Sequence, residues 1–479
     1  MRVLFVVWEL VPFFQVGGLG DVARSLPKTL YSQGVDIRIV LPYYKALKLH
    51  RLRRKEIKTF SITYDKKKEK ITLYQIRFLD SNLPVYIIKN KKYLDMPNKD
   101  IFPFFNLAII DILEKNYLSW QPEIIHCNDN HQGLIPFLIK HKNLPYKTLL
   151  TIHNLTHQGK MSPGSIIKMG IDPRKCRVIR WEIKKRQINR LLEGIIHADL
   201  VNTVSPTYAK EILTEEYGAG LDEIIRNEKQ KISGILNGID YDSRCPLKDK
   251  NIIYHYNGTE AKEDYSYKIY SPLEGKKMNK KFLQEKLGLA VSEEIPLIGF
   301  IGRFDSKQKG IDLIHKMICR INLKKFQFVI LGQGEVEWVE RFNWLASFYK
   351  KNVSYISVFD SRLASQIYAG CDFLLVPSKY EPCGLIQMIA MRYGTIPIAR
   401  ATGGLKDSII DGKDGFLFKK YSSFELEKAL KRAVNIWKNH KNDYKNMIVN
   451  AMTKDFSWDK SAKEYIRLYN KLCNPSKIS

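Results

Sequence analysis

Two short glycine-rich loops carry the residue pattern that most directly suggests chemistry. The first, at 17–21, reads Gly-Gly-Leu-Gly-Asp and follows the apolar run 3–7; the second, at 402–405, reads Thr-Gly-Gly-Leu and follows the apolar run 396–399. Glycine lets the backbone approach a ligand, and a helix that starts there points N–H groups and a partial positive charge at it. Such loops bind phosphate or simply close a strand–helix turn. One loop in each half of the chain predicts two nucleotide-fold domains facing a shared cleft.

A second motif stands shortly before the later glycine loop. The sequence Pro-Ser-Lys-Tyr-Glu-Pro-Cys-Gly-Leu at 377–385 follows the strand-like run 373–376 and leads into a helical pattern. Glu381 therefore lies between a strand and a helix N-terminus, where a carboxylate is electrostatically stabilised. It could cap the helix or act on a substrate.

The elements that must position these motifs are apolar strands alternating with helices. Val22, Leu26 and Leu30 recur at helical spacing after the first loop, and a comparable strand–helix series begins again at 297–301. Further strand patterns occur at 123–125, 149–152 and 200–204. Ligands bind at the carboxyl ends of parallel strands, where we expect the polar side chains of His126, Asp129, His153 and Asn154. The Lys-rich segments 46–72 and 89–100 are predicted to be excursions between strands.

Taken together, these motifs resemble the glycogen and bacterial starch synthases of glycosyltransferase family five. Members of that family carry Lys-x-Gly-Gly-Leu near the N-terminus, and Pro-Ser-x-x-Glu-Pro-Cys-Gly-Leu followed by Thr-Gly-Gly-Leu near the C-terminus. The matches between these motifs keep the family order and span nearly the whole chain. They occur at 129–133, 151–154, 158–159, 203–208, 234–240, 303, 308–310 and 368–372.

The resemblance implies a fold and a reaction. The fold is two Rossmann-like, doubly wound α/β domains facing a cleft, which is the GT-B architecture. The expected divisions are an N-terminal domain at 1–247, a polar linker region at 248–281, a C-terminal nucleotide-sugar domain at 282–455, and a final helix at 456–479 that packs on the N-terminal domain. The reaction is retaining transfer of glucose from ADP-glucose to the non-reducing end of an α-1,4-glucan such as glycogen.

Four residues receive catalytic roles from the resemblance. Arg303 and Lys309 match the two basic residues beside the donor phosphates, where they would stabilise the departing pyrophosphate. Glu381 would contact sugar hydroxyls and the positive charge that develops at the anomeric carbon, and His153 would contact the transferred sugar. Eight residues after Glu381, where some related families carry a second acid, stands Ile389. Front-face attack by the acceptor, assisted by the leaving phosphate, is therefore expected rather than a covalent glycosyl-enzyme.

Other residues are expected to bind the nucleotide sugar or the acceptor. Phe359 either stacks on the nucleotide base, as the resemblance implies, or is one more core aromatic. The predicted binding residues are Gln15, Gly17, Gly18, Asp21, Asp129, His131, Asn154, Asn237, Phe359, Cys383, Gly384, Leu385, Thr402, Gly403 and Gly404.

Three positions depart from the family pattern. Gln15 replaces a lysine before the first glycine pair, Asn130 replaces a tryptophan, and Arg244-Cys245 replaces Trp-Asn. The first change removes a cation from the donor site, so a glucan-binding protein with weakened catalysis stays open as an alternative. A transferase that uses UDP-glucose also stays open, because recognition of the base rests largely on backbone contacts.

Composition restricts the partners. The 479 residues carry a net charge of +28, from 78 Lys+Arg against 50 Asp+Glu. This charge would suit nucleic acid or an anionic membrane, but it is dispersed, and the short basic clusters 51–55 and 66–68 lack the interleaved aromatics of nucleic-acid grooves. We therefore expect neither partner. Oligomeric state is not readable from the sequence.

Cysteine use and hydropathy indicate a cytoplasmic protein. The seven cysteines are an odd number without a C-x-x-C pair, so neither zinc nor a disulfide framework is indicated. The sequence shows no signal-peptide pattern and no apolar stretch long enough to span a bilayer. No metal or other cofactor is expected.

Overall fold

The chain folds into two compact α/β units. A computed structural model describes residues 1–44, 47, 53–78, 80–95, 98–175, 187–257 and 269–474. The first unit contains the residues up to Gly238 together with the C-terminal helix that starts at Trp458, and the second unit is Ile239–Ser457.

A nine-stranded sheet is the centre of the first unit. Its order is β11-β10-β7-β6-β1-β2-β5-β4-β3, and β4 is antiparallel to both neighbours while the other pairs are parallel. A separate antiparallel pair, β8 and β9, stands beside it. The strands are β1 Arg2–Val6, β2 Asp36–Pro42, β3 Lys55–Tyr64, β4 Lys67–Arg77, β5 Pro84–Lys89, β6 Ile124–Asn128, β7 Lys147–Ile152, β8 Lys160–Met161, β9 Ile188–Asn189, β10 Leu200–Thr203 and β11 Ile232–Gly234.

Helices accompany this sheet, and its inner strands are buried along most of their length because parallel sheets are covered on both faces. The chain runs outward from β1 in both directions, through β2 on one side and β6 on the other, which is the doubly wound arrangement that the sequence predicts. The helices of this unit are α1 Leu19–Ser32, α2 Ile101–Glu114, α3 Leu134–His141, α4 Gly164–Lys168, α5 Arg190–His197, α6 Pro206–Glu211 and α7 Asp222–Asn227.

The prediction for 46–72 is wrong over its described part. Strands β3 and β4 form a hairpin there and extend the sheet. Phe60, Ile62 and Tyr64 are buried on alternate positions of β3, between exposed polar residues. This two-residue period is typical of a strand with one solvated face, but the abundant lysines obscured it. Residues 46 and 48–52, with part of the basic cluster 51–55, lie outside the described residues.

The second unit contains a six-stranded, fully parallel sheet in the order β14-β13-β12-β15-β16-β17. Its strands are β12 Leu297–Ile301, β13 Gln327–Leu331, β14 Val353–Ile356, β15 Phe373–Val376, β16 Ile396–Arg400 and β17 Phe416–Phe418. Its helices are α8 Pro272–Lys286, α9 Ile311–Ile318, α10 Val336–Phe348, α11 Ser361–Gly370, α12 Ile386–Arg392, α13 Gly403–Ser408, α14 Ser423–Asn439 and α15 Lys441–Thr453.

Helix α8 occupies part of the segment expected to be a linker. Its inward face is polar: the Lys276 ammonium donates to the backbone oxygen of Cys371 (2.8 Å) and to the hydroxyl of Thr395 (2.7 Å), and Lys280 forms a buried ion pair with Asp372 at 2.7 Å. A helix that packs through lysines has little apolar periodicity, so hydrophobic spacing does not predict its packing. The described residues of 248–281 belong to the second unit, and 258–268 lie outside the described residues.

The last helix, α16 Trp458–Cys473, packs in the core of the first unit. The Tyr469 hydroxyl lies 2.7 Å from Nδ1 of His126 in β6, and the side-chain amide of Asn202 in β10 donates to Tyr465 at 3.2 Å. His126 is thus fully buried in the middle of its strand, and the expectation that it lies at the ligand-binding edge is wrong.

Candidate functional site

The first glycine loop is held by the carboxylate of Glu9. Glu9 is 1% exposed; its Oε2 accepts hydrogen bonds from the backbone N–H groups of Val16 (2.5 Å) and Gly17 (3.0 Å), and its Oε1 accepts one from Gly20 (3.1 Å). Helix α1 begins in this loop, so its positive N-terminal end lies beside a carboxylate. Three loop N–H groups that could have faced a phosphate are therefore engaged inside the protein.

Gln15 is an exposed member of the same loop. Its Nε2 donates to Oδ2 of Asp21 at 2.8 Å and to the backbone oxygen of Gly17 at 3.1 Å. Burial raises the pKa of Glu9, the three backbone hydrogen bonds oppose that rise, and the charge of Asp21 adds to it. Two acids, Glu9 and Asp21, thus lie at this loop, and the neutral amide of Gln15 stands where the family has a lysine.

Asp129, His153 and Asn154 are brought together at the edge of the first sheet, as predicted. Asp129 follows β6 with φ 59°, and its Oδ1 accepts hydrogen bonds from the backbone N–H groups of His153 (2.7 Å) and Asn154 (3.3 Å). The imidazole Nε2 of His153 is 2.9 Å from Oδ1 of Asn128, and it donates there because an amide oxygen only accepts. Two neighbouring strand ends are joined by these bonds.

Burial sets the charge of this group. It raises the pKa of Asp129 to about 7, against the opposing effect of the two backbone hydrogen bonds, and it lowers the pKa of His153 to about 3. His153 is therefore neutral near pH 7, where it can exchange hydrogen bonds with a sugar but carries no proton to give as an imidazolium.

His131 lies in an aromatic pocket of the first unit. Its ring stacks on Trp8, with centroids 4.4 Å apart, and meets Phe102 edge to face at 4.6 Å. Burial, and then the nearby charge of Arg190, lower the pKa of His131 well below its ordinary value. Its Nδ1 is buried and has no hydrogen-bond partner among the described residues.

The departure at Asn130 coincides with a buried arginine. Arg190 Nη2 donates to Oδ1 of Asn130 at 2.9 Å, and its Nε donates to the backbone oxygen of Gly159 at 3.0 Å. The guanidinium lies 5.0 Å above the ring of Phe102, and burial lowers the pKa of Arg190 to about 10. A short amide at position 130 therefore provides the acceptor that anchors this cation.

In the second unit, Glu381 and Lys309 form a half-buried ion pair. Lys309 Nζ donates to Oε2 of Glu381 at 2.7 Å, and the Ser378 hydroxyl donates to the same oxygen at 2.9 Å. Glu381 is 5% exposed. Two residues that are 72 positions apart in the sequence, both predicted to be catalytic, are thus in direct contact.

The backbone holds the two segments that carry this pair together. The N–H of Lys379 donates to the oxygen of Gln308 at 2.7 Å, and Gly310 adopts φ 68° where a Cβ would lie 2.2 Å from the oxygen of Pro377. Arg303, the other predicted phosphate contact, donates through Nη2 to Oε1 of Gln308 at 3.3 Å. The basic residues are thus placed by a loop that only glycine can close.

The second glycine loop packs on the backbone of the same motif. A Cβ on Gly403 would lie 2.0 Å from the oxygen of Glu381, and a Cβ on Gly404 would lie 2.0 Å from the oxygen of Cys383. The N–H of Gly404 donates to the Glu381 oxygen at 3.0 Å. Thr402 is fully buried beside them. This loop therefore supports the carbonyl side of Glu381, while the carboxylate faces Lys309.

Three further predicted residues lie in loops, one in the first unit and two in the second. Gly384 has φ 72°, and Gln387 Nε2 donates to its oxygen at 2.6 Å. Phe359 is 61% exposed, so it is not a core aromatic. Asn237 is 4% exposed, with an Oδ1 that has no hydrogen-bond partner in the described part of the chain.

Sequence reasoning missed Glu9, Ser378 and Arg190. The signal that could have found Glu9 is an acid standing between Trp8 and Leu10, in a stretch otherwise fit for burial. A carboxylate there needs partners, and the nearby glycine loop supplies backbone N–H groups.

Neither a metal-binding cluster nor a membrane-spanning helix is present in the described residues. No group of three or more His, Cys, Asp or Glu side chains within them is arranged to hold a metal ion. No helix in the described ranges is long and apolar enough to cross a membrane.

Comparisons with known proteins find relatives over nearly the whole chain. Residues 2–227 match the starch synthase catalytic domain, and residues 282–453 match the glycosyl transferases group 1 family. A glycogen synthase of Streptococcus pneumoniae is 36% identical over 99% of this chain and 100% of its own length. The catalytic domain of starch synthase IV from Arabidopsis thaliana, solved bound to ADP and acarbose, matches with a TM-score of 0.86 and 32% identity, over 98% of this chain and 99% of that one. Sucrose-phosphate synthase from Thermosynechococcus elongatus, at 17% identity and TM-score 0.61 over 99% and 100% of the chains, shares the fold.

Proposed function

The chain belongs to the glycogen and starch synthase family of glycosyltransferases, and from that premise we propose that it lengthens an α-1,4-glucan with glucose from ADP-glucose. Its two doubly wound domains have the GT-B fold. The observation that carries the proposal is the contact between Lys309 and Glu381, beside the second glycine loop, in a chain that matches a glycogen synthase over its full length.

The proposed reaction breaks the bond between the anomeric carbon and the β-phosphate oxygen. The electron pair of that bond leaves on the phosphate, and the acceptor hydroxyl forms the new bond on the same face and gives its proton to the departing phosphate. Lys309 and Arg303 balance the growing negative charge of the leaving group. The Glu381 carboxylate stabilises the positive charge that develops on the sugar ring.

The residues of the first unit contact the sugars in this proposal. Neutral His153 and Asn154 are oriented by Asp129, and neutral His131 is assigned to the sugar side through the family match. These groups suit an uncharged polyol because they exchange hydrogen bonds without carrying a formal charge. We place the transferred glucose and the end of the acceptor glucan there.

The donor is proposed as ADP-glucose because the starch synthase that shares 32% identity was solved with ADP. Exposed Phe359 is the side chain proposed to stack on the base. The ligands of this reaction are a nucleotide sugar and a glucan, so the proposal includes no nucleic-acid or membrane partner. We also propose a cytoplasmic location.

Glucose incorporation into glycogen tests the function directly. Radiolabelled ADP-glucose and UDP-glucose are offered in parallel to the purified chain, and the Glu381→Ala variant serves as the background control. We expect incorporation from ADP-glucose, with little from UDP-glucose. Preferential use of UDP-glucose would correct the donor, and glycogen binding without transfer from either donor would favour the non-catalytic alternative.

We also expect the reaction to proceed without a divalent metal. The pyrophosphate charge is assigned to Arg303 and Lys309, so a large excess of EDTA over enzyme should leave the rate unchanged. Rates measured before and after chelation, and after adding Mg²⁺ back, check this. A strict metal requirement would contradict the assignment.

A further inference from the structure

The buried acid beside the first glycine loop has no role in the reaction described above. Glu9 stands in the segment between β1 and the loop, and both of its carboxylate oxygens point at loop N–H groups. The loop ends at Asp21 in the first turn of α1. We propose that Glu9 is a positioning residue of the transferase: its carboxylate fixes the first glycine loop in the shape that places Gln15 and Asp21. This inference rests on the proposed function.

The geometry is that of a carboxylate enclosed by its own loop. Oε2 bridges the successive N–H groups of Val16 and Gly17, at 2.5 and 3.0 Å, and Oε1 takes the N–H of Gly20 at 3.1 Å. The N–H of Val11, on the Glu9 side, donates to the oxygen of Gly20 at 3.3 Å. The loop is therefore tied to the Glu9 segment at both of its ends.

The charge of Glu9 is compensated by backbone groups. In the described part of the chain no lysine or arginine forms a salt bridge with it, and burial alone would strongly disfavour its ionised form. Three N–H groups and the positive end of α1 supply the compensation. Glu9 and the loop conformation thus depend on each other, since either one alone would leave buried polar groups unsatisfied.

In this arrangement, the groups that hold the first loop are different from the groups proposed to bind the donor pyrophosphate. The loop N–H groups that Glu9 occupies are not available to the donor pyrophosphate, whose charge is proposed to meet Arg303 and Lys309. A change at Glu9 should therefore disturb the placement of Gln15 and Asp21 without removing the phosphate contacts. The expected signature is a loss in turnover with ADP affinity preserved.

The main test compares Glu9→Gln with Glu193→Gln. A glutamine at position 9 keeps the volume but replaces one carboxylate oxygen with an NH₂ group, which cannot accept from an N–H. Glu193 is also fully buried in the first unit and contacts His197 at 3.5 Å, away from the loop, so its variant controls for removing a buried charge. We expect Glu9→Gln to lower kcat/KM for ADP-glucose by about 10- to 100-fold, as the loss of a hydrogen bond to a charged group implies. Glu193→Gln should stay within about twofold of wild type.

Two further measurements distinguish positioning from simple loss of stability. ADP affinity by calorimetry should be unchanged in Glu9→Gln, and its stoichiometry gives the folded fraction to which kcat is referred. Hydrogen exchange at the amides of Val16, Gly17 and Gly20 should become faster. Wild-type kcat/KM in Glu9→Gln, or normal kcat per folded molecule, would overturn the proposal. The exchange measurement needs no activity, so a wild type that transfers no glucose would refute the proposed function while the role of Glu9 in the loop is still decided.

Discussion

The two glycine loops share a Gly-Gly-Leu sequence but are held by different groups. The first is held by a side chain, because the Glu9 carboxylate accepts three of its N–H groups. The second is held by main chain, because its glycines lie against the oxygens of Glu381 and Cys383 with no space for a Cβ. The first loop therefore depends on Glu9, an acid that precedes it in the sequence, and the second loop depends on its own glycines.

The difference also concerns where an acid is available for chemistry. At the first loop, both carboxylate oxygens of Glu9 accept hydrogen bonds from backbone N–H groups of the loop. At the second loop, the backbone oxygen of Glu381 accepts the hydrogen bond from Gly404, and the Glu381 carboxylate contacts Lys309 and Ser378 instead. Beside similar loop sequences, one glutamate is thus proposed to position its loop and the other to act with Lys309 on the substrate.

The largest effect is expected at Glu381. Glu381→Ala should lower kcat by about 100- to 1000-fold, the range found when one preorganised electrostatic group is removed from an active site. ADP should bind with nearly unchanged affinity, because Arg303 and Lys309 are retained. Steady-state kinetics and calorimetry check the two parts, with Arg303→Ala as the comparison that weakens both. Full activity of Glu381→Ala would break the comparison between the loops.

Alanine substitution in each loop tests the packing difference. Gly403→Ala places a Cβ 2.0 Å from a backbone oxygen at φ 44°, so about 1–3 kcal/mol of stability should be lost together with most activity. In Gly17→Ala the new Cβ would have the Glu9 Oε1 as its nearest neighbour at 3.8 Å, an ordinary contact. The free energy of unfolding of that variant should stay within about 0.5 kcal/mol of the wild-type value. Urea denaturation of both variants measures this free energy. An equal loss of stability in the two variants would contradict the conclusion that the two loops are held by different groups.

A pH-dependent effect is expected at Asp129. Its pKa is raised to about 7 in the folded chain, so the folded state binds a proton that the unfolded state releases near its ordinary value of 3.8. Asp129 therefore lowers stability progressively as pH rises from about 4 to 7. The buried His153 acts in the opposite direction below pH 6.5, because its pKa is lowered to about 3.

The difference between Asp129→Asn and wild type isolates the carboxylate. The unfolding free energy of the variant minus that of wild type should increase between pH 4 and 7 and level off above. Denaturant unfolding at several pH values measures it. A difference that is constant with pH would show that Asp129 is ionised with an ordinary pKa.

The smallest effect is expected at Gln15. Gln15→Lys should raise kcat/KM for the donor by about fivefold, because a charged hydrogen bond to phosphate is stronger than a neutral one. The gain is limited because Asp21, which now accepts from Gln15, would also pair with the lysine. Gln15→Met, which removes the donor without adding charge, is the matched control. A gain in both variants would mean that the amide itself is inhibitory.

The sequence predicted the parts of the fold that apolar strands determine, and the parts of the site that lie in contiguous motifs. Strands such as β12 and β15 are short apolar runs next to glycine or proline, and the motif at 377–385 points to Glu381. Lys309 was found only through the resemblance, since nothing local indicates that it meets an acid 72 residues later.

In each of the missed features, polar residues stand where apolar spacing is the usual guide. Helix α8 buries Lys276 and Lys280 against backbone oxygens, a hydroxyl and a carboxylate, and Glu9 is buried against backbone N–H groups. In the hairpin β3–β4 the exposed lysines obscure a two-residue period. Hydrophobic patterns do not report such features, because the partners of a buried polar residue come together only in the folded chain.

The membership of helix α16 in the first unit has a consequence for synthesis. The hydroxyls of Tyr465 and Tyr469 complete the polar core around Asn202 and His126, yet these tyrosines are translated after all of Ile239–Ser457. Chains usually fold their N-terminal domain first as they leave the ribosome. Here the second unit is one continuous segment, so it can fold before the last helix of the first unit has been synthesised. A chain whose synthesis stops before Trp458 therefore contains the whole second unit but lacks one core helix of the first.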